Sequence, residues 1–146
     1  MKILVSACLL GQACRYDGKS KTNAAILALA GRHQLVPFCP EIYGGLPTPR
    51  PASERRGERV VNCLGQDVTE NYRRGAEAAL ALARQMGCAC AVLKERSPSC
   101  GSAMIYDGSF TGMLIPGRGV TAELLLEAGV TVYSEERLEE LLGITK

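Results

Sequence analysis

The sequence is short of the residues and runs that mark several common function classes. It holds a single histidine, His33, which falls at a predicted helix end. A cysteine or serine nucleophile is therefore left without its usual base. No charge of one sign dominates: 17 basic and 15 acidic residues leave a net charge of +2, with no basic stripe of the kind that tracks nucleic acid. The Arg55-Arg56 and Arg73-Arg74 pairs are expected on solvated surface. No apolar run approaches the roughly 18 residues of a membrane span. Val5-Ser6-Ala7-Cys8 looks like a lipoprotein cleavage box, but only Ile3, Leu4 and Val5 precede it. A secretory signal needs an apolar core of roughly 7–15 residues, so the segment reads as a first buried strand. The paired Cys-x2–4-Cys spacing of a four-ligand structural zinc site is missing. No dinucleotide fingerprint follows the first strand, so a nicotinamide cofactor is not implied. No repeat and no linker divides the chain, and its 146 residues are expected to form one domain, 1–146.

Against these absences stand seven cysteines in a chain that is 47% hydrophobic. Disulfide scaffolds are usually shorter, loop-rich and evenly numbered, so this pattern points to a reduced, cytoplasmic protein using thiolates as metal ligands. The hydrophobic pattern predicts a strand over 2–8, a helix from Thr22 or Asn23 to about Ala30, and a strand over 34–39. A proline-rich irregular stretch follows from Pro40 to Arg56, with an edge strand near Val60–Cys63. The clearest helix runs from about Thr69 to Met86, capped by Asp67 or Thr69. A third, nearly all-apolar strand spans 88–93, residues 105–115 read as loop or weak hairpin, and a helix follows over 120–128 with Thr121 as its cap. A fourth strand over 130–133 leads to a last helix capped by Ser134 and carrying Arg137, Leu138, Leu141 and Leu142. Strands alternating with helices predict an α/β fold: a three-layer, Rossmann-like sandwich around a mostly parallel sheet of four or five strands.

In such a sheet Cys8, Cys39 and Cys100 each fall just past a short apolar run, at the carboxyl edge where open α/β sheets bind ligands. Each lies in a peptide dense in small, turn-forming or charged residues, where backbone N–H groups can reach a cluster sulfur. Three thiolates leave a metal site with one vacancy, and an open iron there is a Lewis acid suited to a soft sulfur atom. Glu41, two residues past Cys39, is positioned to exchange a proton with a bound substrate. Ser97 and Ser99 precede Cys100, and their hydroxyls are candidates to orient or relay that proton. Arg15 and Asp17 follow Cys8 in a loop, as substrate contacts or as braces for that loop. Lys94 and Glu95 are expected to pair with each other. Cys63, Cys88 and Cys90 read as structural, with Cys88 and Cys90 on one face of a strand. Cys14 is either an accidental thiol near the site or an alternative ligand. Gly117-x-Gly119 and Gly44-Gly45 are weak candidates for anion-binding turns. From the residues alone, three classes stay open: a cluster-dependent enzyme, a non-enzymatic cluster or metal carrier or redox sensor, and a thiol hydrolase with Cys100 as nucleophile.

Taken together, Ser6-Ala7-Cys8-Leu9-Leu10-Gly11, Arg15-Tyr16-Asp17-Gly18, Cys39-Pro40-Glu41, Gly44-Gly45-Leu46-Pro47-Thr48-Pro49-Arg50, Lys94-Glu95 and Ser97-Pro98-Ser99-Cys100-Gly101 resemble the thiouracil desulfidase family. Ile105-Tyr106-Asp107-Gly108 and Gly119-Val120-Thr121-Ala122 are similar to it as well. The resemblance implies a 4Fe–4S cluster on Cys8, Cys39 and Cys100, with one iron free of cysteine to take the thiocarbonyl sulfur. It implies Glu41 as the catalytic acid/base assisted by Ser97. Beside them, Arg15, Asp17 and Ser99 are the expected substrate-binding residues. Sulfur would pass to the cluster as sulfide without net redox change while water replaces it on the base. The partner it implies is a small thiolated base; the apolar runs and the balanced charge add no membrane and no clear nucleic-acid footprint.

Overall fold

A computed structural model describes residues 1–145, and side chains as far as Leu141. In chain order the elements are β1 (Lys2–Ser6), α1 (Ala24–Ala28), β2 (Gln34–Phe38), α2 (Pro40–Tyr43), β3 (Ser53–Arg56), β4 (Arg59–Asn62), α3 (Thr69–Met86), β5 (Cys90–Leu93), β6 (Met104–Tyr106), β7 (Leu114–Pro116), α4 (Val120–Glu127), β8 (Thr131–Ser134) and α5 (Leu138–Thr145).

The apolar runs become the central sheet because a parallel strand is covered on both faces. The sheet has four strands in the order β2–β1–β5–β8, all parallel. Alternate residues enter opposite layers. Ile3, Val5, Cys90, Val92 and Tyr133 pack with Ile26, Leu29 and Leu141, on the side of α1 and α5. Leu4, Val36, Phe38, Ala91, Leu93 and Val132 pack with Ala79, Ala83, Ala122 and Leu125, on the side of α3 and α4. This is the expected three-layer sandwich. Strand β1 connects to β2 over one face, and β2 returns past β1 to β5 over the other. The chain therefore changes direction between β1 and β5, and a crevice opens at their carboxyl ends.

Local signals explain most boundaries. The Asn23 side chain accepts from Ile26 N at 3.2 Å and caps α1. Asp67 accepts from Thr69 N at 2.9 Å and starts α3, and Gly87 closes α3 in the left-handed region at φ 69°. Thr121 does not cap α4. It is fully buried, and its hydroxyl bonds Ser99 Oγ at 2.7 Å. Ser134 Oγ accepts from Glu136 N at 3.2 Å ahead of α5; the side chain of Leu142 lies outside the described residues.

Three stretches are more ordered than the pattern predicts. The Pro40–Arg56 stretch contains α2, which starts with proline at its first position, and β3. The strand near Val60 pairs with β3 as a separate antiparallel hairpin and does not extend the main sheet. Residues 104–116 form a second antiparallel hairpin, β6–β7. Both hairpins stand over the carboxyl edge, where Glu54 of β3 accepts from Gly108 N at 2.9 Å and Phe110 N at 3.1 Å. The Arg55-Arg56 pair braces these parts rather than facing solvent freely: Arg55 reaches Glu123, and Arg56 donates to Gly108 O at 2.7 Å. Cys88 and Cys90 do not share a face. Cys88 precedes β5 and packs against the α3–α4 layer, whereas Cys90 faces α1 and α5.

Candidate functional site

At the carboxyl edge lies a cavity of about 560 Å³, well within the size that takes a small aromatic molecule. The strands deliver thiols to it directly. Cys8 comes from the single 3-10 turn after β1, Cys39 from the junction of β2 and α2, and Cys100 from the loop after β5. All three line the cavity, as expected, and Cys14 joins them. Cys8, Cys14 and Cys100 are buried, Cys39 is half-buried, and all are free thiols. Cys39 Sγ lies 3.8 Å from the carbonyl of Cys14.

Three of these thiols, Cys14, Cys39 and Cys100, resist ionisation where they stand. Burial, ahead of nearby Glu41, pushes the Cys100 thiol up to about 12. Cys14 is lowered by a hydrogen bond with Cys39, but contact with Cys8 and burial outweigh that and lift it to about 11. Cys39 is raised further, first by its contact with Cys14 and then by burial. A crowd of soft donors that cannot readily become thiolates together suits a cationic metal group, whose charge supplies what the protein does not. Among the described residues, no three His, Cys, Asp or Glu side chains close around a single ion. The donor set therefore fits a larger iron–sulfur group better than a lone zinc.

Glu41 is held on α2, two residues past Cys39, and lines the same cavity. Arg50 Nε donates to Glu41 Oε2 at 2.9 Å, and its Nη2 reaches the same oxygen. Tyr72, from α3, stands beside Glu41; burial first, and the Glu41 charge second, push its hydroxyl well above the usual range, so it remains a donor. Ser97 lines the cavity and uses its oxygen to accept from Ser99 N and Cys100 N, both at 3.0 Å. Its own proton is thereby left for another acceptor. Arg15 also lines the cavity and lies 3.6 Å from Asp17.

Two expected site residues are placed elsewhere. Asp17 is not among the cavity's lining residues; it accepts from Lys19 N at 3.0 Å and braces the loop that carries Arg15. Ser99 is fully buried, with its hydroxyl on Thr121, and so supports the Cys100 loop from behind. Lys94 and Glu95 do not pair through their side chains. Lys94 meets Glu135 at 3.1 Å. Glu95 Oε1 gathers the N–H groups of Ser102 at 2.9 Å and Ala103 at 3.1 Å. Burial would raise the Glu95 carboxyl, but the N–H groups of Ala103, Ser102, Arg96 and Met104 hold it below its ordinary value. His33 lies 3.1 Å from the N-terminal amine, away from the cavity, which leaves Cys100 without a histidine base. Neither glycine turn is an anion site: Gly119 N is bonded to Gly101 O at 2.7 Å, and a Cβ on Gly44 would meet Asn71 O at 2.0 Å.

The sequence reading assigned no role to Arg50, Tyr72, Glu54, Tyr106 or Phe110, all of which line the cavity. Arg50 stands in one of the motif peptides, but nothing in a proline-rich stretch announces a buried cation. Phe110 has a left-handed backbone at φ 58°, which only the hairpin geometry reveals.

The family model for 2-thiouracil desulfurase matches residues 3–137. The chain belongs to the 2-thiouracil desulfurase family. It is 43% identical over 150 residues to the uncharacterized protein YbbK of Bacillus subtilis (strain 168), covering 96% of this chain and 99% of that one. Among solved structures it is similar to the 4Fe–4S-dependent thiouracil desulfidase TudS, at 51% identity and a TM-score of 0.93, over 99% of this chain and 97% of TudS. Membership of the family accounts for the motif peptides and for their convergence on one edge of the sheet. No helix among the described residues is long and apolar enough to cross a membrane.

Proposed function

We propose that this protein is a 4Fe–4S-dependent desulfidase that replaces the sulfur of a small thiolated pyrimidine with oxygen from water and releases sulfide. The carrying observation is the convergence of Cys8, Cys39, Cys100 and Glu41 on one cavity at the turning point of the sheet. Cys8, Cys39 and Cys100 would hold the cluster, which supplies a soft Lewis-acidic iron, free of cysteine, for the thiocarbonyl sulfur. Water and thiocarbonyl become carbonyl and hydrogen sulfide, so no electrons are gained or lost overall.

The chain's own residues supply the proton handling. Glu41 takes a proton from the attacking water and returns it to the departing sulfur. Ser97, its oxygen already occupied by backbone N–H groups, directs its hydroxyl proton to the substrate. Arg15 serves the cavity's edge as a substrate contact, Asp17 braces it, and Ser99 fixes the loop that presents Cys100. The balanced net charge favours a small molecule over nucleic acid, and the free thiols suit the reducing cytoplasm.

The test is purification without oxygen followed by iron, acid-labile sulfide and sulfide-release measurements. About four irons and about four sulfides per chain are expected, with sulfide released from thiouracil, and Glu41→Gln keeps the cluster while losing turnover. A fully loaded wild type that releases no sulfide from any thiolated pyrimidine refutes the reading. Cys14 favours a second reading, since a fourth thiol beside Cys8 and Cys39 would close the cluster and make a carrier or sensor. In that case Cys14→Ser loses iron and Glu41→Gln changes nothing.

A further inference from the structure

We infer that Arg50 is a positioning residue for the reaction, the group that aims the Glu41 carboxylate at the substrate. This rests on the desulfidase reading and adds a residue to it. The guanidinium is among the most enclosed charges in the molecule, with Arg50 only 9% exposed. Burial opposes its charge, and Glu41 more than restores it. A buried cation is tolerated only where its donors are satisfied, and here five hydrogen bonds do so. Two fall on Glu41 Oε2, and the others on Pro47 O at 3.1 Å, Thr48 Oγ1 at 3.0 Å and Cys14 O at 2.8 Å.

The choice of partners gives the role. Pro47 and Thr48 lie just upstream of Arg50 on its own loop and fix the rotation of the planar fork. Cys14 O belongs to the loop after β1 and also lies near Cys39 Sγ. The guanidinium therefore links the carboxylate to the thiol-bearing loops through rigid, planar bonds. Both arginine bonds to the carboxylate fall on Oε2, so the guanidinium leaves Oε1 uncovered. Arginine holds a carboxylate's plane in a way that lysine, a point charge, does not. A carboxylate on a four-residue helix would otherwise swing about its side-chain torsions. A misplacement of about 1 Å in a reacting group costs on the order of 100-fold in rate.

The experiment compares wild type, Arg50→Met, Arg50→Lys and Arg50→Ala, all cluster-loaded under anaerobic conditions, with thiouracil as the probe. Arg50→Met is expected to keep its iron and sulfide, to change KM by less than about threefold, and to lose about 100-fold in kcat. Arg50→Lys should recover only a small part of that loss, because charge without the fork does not orient the carboxylate. Added guanidinium should raise the turnover of Arg50→Ala and leave Arg50→Met, whose cavity is filled, unchanged. In a Glu41→Gln background Arg50→Met should cost little more, since the two residues act as one unit. Wild-type kcat in Arg50→Met, or loss of the cluster in both Arg50→Met and Arg50→Lys, overturns the inference while leaving the desulfidase reading intact. A fully loaded wild type that is inert towards thiolated pyrimidines overturns both.

Discussion

The thiol of Cys39 and the carboxylate of Glu41 owe their placement to two glycines at the crossing of α2 and α3, Gly44 and Gly75, and adding one methyl group tests this. Helices α2 and α3 touch backbone to backbone. A Cβ on Gly75 would lie 2.0 Å from Pro40 O and 2.7 Å from Pro40 C. Pro40 sits between Cys39 and Glu41, and its carbonyl already accepts from Gly44 N at 2.8 Å. In Gly75→Ala that carbonyl must retreat by more than about 1 Å to reach an ordinary separation of ~3.5 Å. No rotamer change relieves a clash with backbone. The helix gains about 1 kcal/mol from alanine's better propensity, and overpacking costs about 1–3 kcal/mol. A clash this deep belongs at the upper end, leaving a net loss of about 2 kcal/mol. The larger effect is on chemistry, because the same shift moves the carboxylate and lowers sulfide release by about 100-fold. Urea unfolding, iron content and sulfide release measured on one preparation give all the quantities needed. Gly31→Ala is the control, since nothing lies within 4 Å of the Cβ it would add. A Gly75→Ala protein with wild-type unfolding midpoint and turnover would refute the claim that this crossing sets the site.

Glu95→Gln should lose about 1.5–3 kcal/mol of stability at neutral pH, because backbone N–H groups would face an amide in place of a charge. The Glu95 carboxyl is held below its ordinary value in the folded protein. Its contribution is therefore present above the unfolded-state value of about 4.3 and fades as pH falls through the lower folded-state value. Unfolding midpoints of wild type and variant should converge as pH falls through the folded-state value; a constant gap would show that charge is not the cause. Phe110→Gly removes a side chain from a left-handed backbone, φ 58°, relieving about 1 kcal/mol of strain while losing the ring's packing under Arg56, 5.9 Å away. Stability should change by less than about 1 kcal/mol, while KM for thiouracil rises about tenfold as a stacking surface is lost. An unchanged KM would remove Phe110 from the substrate's surroundings.

What was legible in the sequence follows from the length scale of each signal. Apolar runs such as Ile3–Val5 and Ala91–Leu93 mark buried parallel strands within a few residues, so the sandwich and the edge that bears Cys8, Cys39 and Cys100 could be read directly. Partnerships across the chain could not. Glu54 bonds Gly108 and Phe110 more than fifty positions later, and only the folded hairpins bring them together. Arg50 looks like any arginine in a proline-rich loop until Glu41 and Cys14 close around it. Ser99 misled for the opposite reason. It neighbours Cys100 in sequence, but the turn sends its hydroxyl inward to Thr121. Nearness along the chain located the site, whereas the direction of each side chain depended on turns whose residues carry no unique signature.

The same distinction supports the choice of Glu41 in the proposed mechanism. Three carboxylates line the cavity: Glu41, Glu54 and Glu95. Glu54 Oε1 is engaged by the N–H groups of Gly108 and Phe110, and Glu95 Oε1 by those of Arg96, Ser102, Ala103 and Met104. Each pins a loop, and protonating either would weaken the acceptor that its backbone donors share. A group that must gain and lose a proton in every cycle cannot also be the knot that holds its loop. Glu41 is different among the described residues, because its carboxylate is held by side chains, Arg50 on Oε2 and Tyr72 beside it, and by no backbone N–H. The other oxygen can change its proton without unfastening any backbone. On the proposed mechanism, proton transfer and loop fixation are divided among carboxylates that share one cavity, with the proton-transferring group beside Cys39.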